Sequence, residues 1–473
     1  MPAPGLNPHI FRAYDIRGIA RGRPDDDLSP AIAERIGRAF STYLRRLRPG
    51  TSLRVLVGRD NRPSSPQLYE AVIAGLRASG ADVSGIDLAP SPLTYFAAAE
   101  GGFDGAVSVT ASHNPVEFNG FKLLREEALP LLSEEIQAVG RLVRDDDFET
   151  GNGALEQARP HDAYVRMLGE RFQLGRPLRI VADPGNGVAT LTGPPALEAA
   201  GADVVPLYAE LVEGFPNHIA NPQDAATMRD LADRVVAEGA DCGFAWDGDG
   251  DRFGLVDEGG RRYEADWIVA LIARDVLRRH PGTRILVDMK SSRSAIEDIR
   301  AHGGVPVLAR TGYSTFRRQM RAEGILFGGE ASGHIMFGED YPCLDDGVYA
   351  ACVVAKIVAD AGEPLSRLFA GMPVYVTSPE VGLPCADAEK FAVAEAVAAE
   401  FRDRYEVSEL DGARIEFPDG WAHVRASNTT PALSVRIEAE SRERFDAIRS
   451  MLWDAISKHS SVTIPEGAAE PEQ

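Results

Sequence analysis

Strand-length apolar runs recur along the chain, each followed by a stretch whose apolar positions repeat at helical spacing. The runs at 53–60, 178–183 and 283–290 read as buried parallel strands that end in polar residues. Downstream of each comes a second strand-like run that enters a Gly-rich polar loop, at 106–115, 243–252 and 325–334. One β-α-β unit is thus used three times, which predicts parallel sheets with helices on their faces and ligand-binding loops at the carboxyl ends of strands. From about Met372 the pattern changes to a strand, an Ala-rich helix at 387–402, two short alternating strands and a last helix at 442–457. The expected class is therefore α/β: three similar mixed or parallel-sheet α/β domains, at 1–158, 159–262 and 263–372, plus a smaller α+β domain at 373–462. A frayed, disordered tail is expected over 463–473, because Pro, Glu and Ala there leave little to bury.

Composition adds boundaries to this picture. A chain of 473 residues exceeds what one growing core supports, in line with several domains. Neither an apolar run long enough to span a bilayer nor a basic and apolar N-terminal leader is visible, so a soluble, cytoplasmic protein is expected. The four cysteines are far apart and lack metal-ligand spacing, which predicts reduced thiols. A net charge of −21 repels nucleic acid and anionic membranes, and with the short tail it favours a monomer or weak dimer. An anionic ligand would have to be held by local clusters of Arg, Lys and helix N-termini.

The loops supply candidates. Thr110-Ala111-Ser112-His113-Asn114-Pro115 exposes a hydroxyl at a strand end, with His113 and Lys122 to handle protons and add positive charge. Taken alone it is equally an ordinary turn. Asp247-Gly248-Asp249-Gly250-Asp251-Arg252 places three carboxylates at alternate positions on a backbone that glycines allow to bend. That spacing wraps a hard cation: Mg2+ with open positions for a phosphate oxygen, or a structural calcium, although no EF-hand Glu follows. Arg252 is placed to hold another phosphate oxygen. Glu330-Ala331-Ser332-Gly333-His334 offers groups suited to vicinal sugar hydroxyls, or is simply a glycine-rich turn. The segment 425–431 joins a guanidinium to hydroxyl, amide and backbone donors, a phosphate cradle by composition or else a polar turn. Lys290 and Arg310 add charge to the same loops, and the segment 11–18, with Arg12 and Arg17, reads as a docking arm.

In this order and spacing the motifs Thr-Ala-Ser-His-Asn-Pro, Asp-Gly-Asp-Gly-Asp-Arg, Gly-Glu-x-Ser-Gly-His and Arg-x-Ser-Asn-Thr resemble those of the α-D-phosphohexomutase family, most closely its bacterial phosphomannomutase/phosphoglucomutase branch. The resemblance covers almost the whole chain and implies four domains around a deep central cleft, with one loop from each. It implies that Ser112 is the phosphorylated serine and that Asp247, Asp249 and Asp251, with Ser112, surround Mg2+. Glu330 and Ser332 would contact sugar hydroxyls, with His334 beside them. Arg425, Ser427, Asn428 and Thr429 would hold the phosphate that is not transferred. His113 and Lys122 would transfer protons; Arg252, Lys290, Tyr14 and Arg17 would line the cleft.

The implied reaction interconverts the 1- and 6-phosphates of mannose or glucose through a 1,6-bisphosphate that turns round in the cleft, with glucose 1,6-bisphosphate or mannose 1,6-bisphosphate as activator. A hinge between the third and fourth domains is expected for that reason. Two departures stand out. Arg310-Thr311-Gly312-Tyr313 replaces the branch's usual Lys-Thr-Gly-His, so Arg310 keeps the charge while a phenol replaces an imidazole, and Thr430 follows the Ser-Asn-Thr motif. The rival readings are a phosphoglucosamine mutase, a metal-dependent sugar phosphatase that passes phosphate to water, and a non-enzymatic sugar-phosphate sensor.

Overall fold

The structure is a computed structural model, and it describes residues 6–23, 25–427 and 430–471. Among them the strands form four sheets, and the first three share one arrangement. In the first, Leu53–Arg59 lies between Ala81–Leu88 and Gly105–Val109, all parallel, and Phe118–Arg125 returns antiparallel beside Gly105–Val109. The second repeats this with Arg179–Asp183, Asp203–Pro206, Cys242–Trp246 and the return strand Phe253–Asp257. The third repeats it again with Arg284–Asp288, Val305–Ala309, Phe327–Gly329 and the return strand Ile335–Phe337. Each candidate loop is the connection between the last parallel strand and its antiparallel return. Strands buried on both faces favour apolar residues, and Ser112, the aspartates and Glu330 fall where the strands end.

Helices cover these sheets because their apolar stripes have nowhere else to go. Pro30–Leu47, capped by the Ser29 hydroxyl on the Ile32 N–H, buries Ile36, Phe40 and Leu44. Gly347–Ala361 is apolar nearly all round and runs through the centre, with Asp346 as its N-cap on the Val348 and Tyr349 N–H groups.

The first three domains share a continuous apolar core that includes Leu56, Tyr164, Trp246, Ile285 and Val354. Phe96 of the first domain packs on Tyr164 of the second and stacks on Tyr341 of the third, with centroids 5.3 and 6.2 Å away. The Trp246 indole N–H donates to the Gly347 carbonyl at 2.9 Å.

The last domain has a separate core, from Leu383 to Ala469. Its sheet is antiparallel and has six strands, and the helices Lys390–Phe401 and Arg442–Ile456 pack on it. Glu406–Ser408, Ala413–Phe417, Gly420–Ala426 and Ala432–Ala439 stand where the sequence predicts two short strands, because meander turns at polar positions divide the pattern more finely. The described part of the expected frayed tail is packed instead. Thr463 N–H bonds the Pro384 carbonyl, Ala469 is 1% exposed, and Glu470 pairs with Arg442 and Arg449. The four cysteines are free thiols, three of them buried. No helix among the described residues is long and apolar enough to cross a membrane.

Candidate active site

The loop carrying Ser112 is held by an arginine that the sequence does not advertise. Arg62 is fully buried, pairs with Asp60 at 3.1 Å, and donates to the carbonyls of Ser112, Asn114, Pro115 and Phe118 at 2.7 to 3.1 Å. Arg17 adds bonds to the Ala111 carbonyl at 2.9 Å and the Asn114 side chain at 2.8 Å. Within this frame Ser112 has φ of 50°, a left-handed conformation that costs a non-glycine residue about 1–3 kcal/mol and that clustered hydrogen bonds must sustain. Its hydroxyl donates to Asp247 Oδ2 at 2.5 Å and lies 3.2 Å from His113 Nδ1. The two loops approach so closely that a Cβ at Gly248 would sit 2.5 Å from the Ser112 carbonyl oxygen.

Asp247, Asp249 and Asp251 are fully buried, and one oxygen of each can lie within 4.8 Å of the others. Asp249 accepts from Ser91 Oγ at 2.6 Å, which stitches this loop to the first domain. Lys122 Nζ bridges Asp249, at 2.7 Å, and Asp251. Burial disfavours the Lys122 charge, but the two aspartates outweigh it and raise its pKa well above the ordinary value. Burial and the neighbouring carboxylates push Asp247 up to about 7, and burial with Asp249 raises Asp251. One oxygen each of Asp249 and Asp251 is buried without a hydrogen-bond partner. Three crowded carboxylates with orphaned oxygens fit a hard divalent cation, since a single ammonium leaves them under-neutralised.

His113 is kept far below its ordinary pKa by burial first and then by Arg252 and Arg17. Arg252 Nε donates to His334 Nε2 at 3.2 Å, and His334 Nδ1 lies 3.2 Å from Asp345 Oδ2. Glu330 accepts from the Gly312 N–H at 2.5 Å, and burial pushes it up to about 6. Tyr14 donates to the Thr311 carbonyl at 2.7 Å, and a Cβ at Gly312, whose φ is 128°, would strike the Tyr14 ring at 2.4 Å. Tyr313 stacks on His334 at 5.7 Å and lies under Lys122 Nζ at 5.5 Å, so the phenol is part of the cleft wall.

Ser112, His113, Lys122, Arg252, Tyr313, Glu330 and His334 line a cleft of about 510 Å³ together with Tyr14, Arg17, Lys290, Ser332, Glu380, Arg425 and Thr430, and the three aspartates are buried behind Ser112 and Lys122. Lys290 pairs with Glu380 at 2.6 Å. Ser427 stands beside the cleft, its hydroxyl 2.8 Å from that of Thr430, while the buried Lys390 ammonium holds the Ser427 and Thr430 carbonyls at 2.5 and 3.1 Å. Asn428 and Thr429 lie outside the described residues. The structure does not bring Arg310 to this wall. It follows the end of Val305–Ala309, is exposed, and lines a groove with Phe391 and Glu409 that shares Tyr14, Thr311 and Arg425 with the cleft.

Sequence reasoning passed over Arg62, Asp345 and Glu380. Only the polar ending of the first strand, Asp60-Asn61-Arg62, offered a signal for the first of them.

A serine bonded to a buried acidic triad, with Lys290 and Arg425 lining the same cleft among three α/β domains and a fourth α+β domain, defines a cleft built to hold and transfer phosphoryl groups. The matches to known proteins agree: residues 8–150, 162–260 and 264–375 match phosphoglucomutase/phosphomannomutase alpha/beta/alpha domains I, II and III, and residues 380–455 match the C-terminal domain. The chain is 37% identical to the phosphomannomutase/phosphoglucomutase of Pseudomonas aeruginosa over 98% of its own length and 99% of that protein's. It is 34% identical to the phosphoglucomutase of Neisseria gonorrhoeae over 96% and 98%. A crystal structure of a phosphoglucomutase/phosphomannomutase family protein from Burkholderia thailandensis superposes with a TM-score of 0.89 at 35% identity, covering 97% of this chain and all of that one. The chain belongs to the phosphoglucomutase/phosphomannomutase family.

Proposed function

We propose that the protein is a phosphohexomutase that interconverts hexose 1-phosphate and hexose 6-phosphate, of mannose or glucose, through phospho-Ser112 and a hexose 1,6-bisphosphate. The observation that carries this reading is the Ser112 hydroxyl, donating to Asp247 at 2.5 Å in a cleft whose lining also includes Lys290 and Arg425 from the third and fourth domains. The serine end suits the transferred phosphoryl group and the Lys290–Arg425 end the phosphate that stays behind.

In the first half-reaction a free sugar hydroxyl attacks phosphorus on phospho-Ser112. The new P–O bond forms as the bond to Ser112 Oγ breaks. In the second half-reaction Ser112 Oγ takes the other phosphate from the bisphosphate, which has turned round in between. Asp247, Asp249 and Asp251 would hold Mg2+, which would offset charge on the transferred group. His113, 3.2 Å from Ser112 Oγ, is placed to handle the proton that reaches or leaves that oxygen. Lys122 and Arg252 bring positive charge to the same floor, while Glu330 and Ser332 offer acceptors to the ring hydroxyls. Lys290 and Arg425 hold the distal phosphate, with Thr430 in the same cleft lining. Alignment and charge neutralisation, rather than covalent chemistry by the protein, carry most of the rate.

The deciding assay follows mannose 1-phosphate and glucose 1-phosphate with Mg2+ and a trace of glucose 1,6-bisphosphate. Formation of both 6-phosphates, lost in Ser112→Ala and with a chelator, supports the reading. Release of inorganic phosphate without isomer would favour a phosphatase, and turnover of glucosamine phosphates alone would favour an amino-sugar mutase.

A further inference from the structure

Glu380 lies in the last domain, immediately before the strand Val381–Pro384. One carboxylate oxygen accepts from Lys290 Nζ at 2.6 Å; the other accepts from Ser434 Oγ and lies 3.8 Å from Arg425 Nη2. The two cations come from different domains and both face the cleft. Their side chains are only 4% and 12% exposed, whereas that of Glu380 is 37% exposed. A two-oxygen anion therefore stands between the cations that the proposed reaction assigns to the distal phosphate. Burial opposes its charge, but Lys290 and Arg425 override this and hold its pKa far below the usual carboxylate range, so it is an anion at any working pH.

We propose that Glu380 is an internal stand-in for phosphate: it occupies the Lys290–Arg425 cradle when no substrate phosphate is there, is displaced when one arrives, and returns as it leaves. The inference rests on the proposed mutase reading. Its physical basis is the cost of leaving two walled-in cations under-neutralised, since apart from Glu380 Arg425 keeps, among the described residues, only the more distant Asp411, at 3.9 Å. Removing one partner of a desolvated ion pair is strongly unfavourable, whereas swapping one anion for another avoids the unpaired state. A bisphosphate that must turn round has to leave this cradle in every cycle. A replacement carboxylate weakens phosphate binding by direct competition and speeds its release by the same amount of free energy. Glu380 is thus a positioning residue that trades affinity for turnover, and it also ties the last domain to the third between cycles.

The test is calorimetric titration of the full chain with inorganic phosphate, which needs no catalysis. In Glu380→Gln the phosphate Kd falls about tenfold, as expected when a competing charge is removed. Glu380→Asp keeps the charge and stays close to native, and the gain disappears when Arg425→Ala is added. With glucose 1-phosphate, KM of Glu380→Gln falls, kcat falls with it because departure from the cradle is slowed, and kcat/KM is not lowered. A carboxylate that merely braced the domain seam would instead raise KM and weaken phosphate binding in both variants. Unchanged or weaker phosphate affinity in Glu380→Gln overturns the proposal. Absence of isomerisation by the native chain would defeat the mutase reading while the phosphate titration still judged Glu380.

Discussion

The seam between the second and third domains and the seam between the third and fourth are made of different material. The first is apolar: Tyr164, Trp246, Tyr341 and Val354 belong to one continuous core, and the Tyr164 and Tyr341 hydroxyls both bond Asp346. The second is polar. Arg414 donates to the Met289 and Ser291 carbonyls at 2.7 and 2.9 Å, Arg436 to the Lys290 carbonyl at 2.9 Å, and Arg293 pairs with Glu416 at 2.9 Å. The last domain keeps its core to itself. An apolar seam cannot open without exposing its area to water, whereas hydrogen bonds and ion pairs can be exchanged for water or ligand at small net cost. The difference teaches which part of the cleft is held by apolar packing and which by exchangeable contacts: the serine and the aspartates sit among the three domains that share a core, and the phosphate cradle hangs on the polar seam.

Cutting into the apolar seam should do the most damage. Tyr164→Ala removes a ring packed on Phe96 and a hydroxyl bonded to Asp346, and should cost about 3–5 kcal/mol in denaturant unfolding of the joint three-domain unit. A melt unchanged for that unit would mean that its domains are not fused.

The cradle should respond in binding rather than in chemistry. Arg425→Ala should lower kcat/KM by about 100-fold, mostly through KM, because a charge-assisted contact to phosphate is made in ground and transition states alike. Steady-state kinetics would show the contrary case as a kcat-only effect.

The polar seam also carries a pH signature. Asp266 bonds the Ser292 N–H at 2.9 Å and lies 3.7 Å from Arg436, yet burial, opposed only in part by Arg436, pushes its pKa up to about 6. Because the folded state binds this proton more tightly than the unfolded chain, the contribution is greatest below the ordinary value of 3.8 and is lost as pH rises through about 6. Asp266→Asn should flatten that part of the stability profile, a change of up to about 3 kcal/mol. Parallel pH profiles for the native chain and the variant would refute the assignment.

The gentlest probe is Arg414→Ala, expected to cost about 2 kcal/mol at the seam. Hydrogen exchange should accelerate in 373–380 and in the strand Ala413–Phe417 while the first three domains stay protected. Uniform acceleration would place the weak seam elsewhere.

The sequence made the cleft's chemistry legible because each motif is local: Ser112 with His113, the alternating aspartates and Glu330 with His334 are complete within a few residues. The three-fold repeat was legible for the same reason, as buried strands must be apolar and must end where polar residues begin. What escaped depends on contacts distant in sequence. Arg62 reads as a surface charge until the carbonyls it gathers, some 50 residues on, are brought to it. Arg310 lines a groove that adjoins the cleft through Tyr14, Thr311 and Arg425, and Glu380 becomes notable only between two cations from different domains. The segment 463–471 looks solvated by composition, but Ala469 fills a gap in the last core and Glu470 finds two arginines.

The central claim is that Ser112 carries the phosphoryl group between the two halves of the reaction. The most direct measurement is peptide mass mapping after incubation of the native chain with glucose 1,6-bisphosphate and Mg2+. One phosphoryl group on Ser112, lost again on addition of excess hexose monophosphate, is the predicted result; a phosphate elsewhere, or none while hexose phosphates still isomerise, would contradict it.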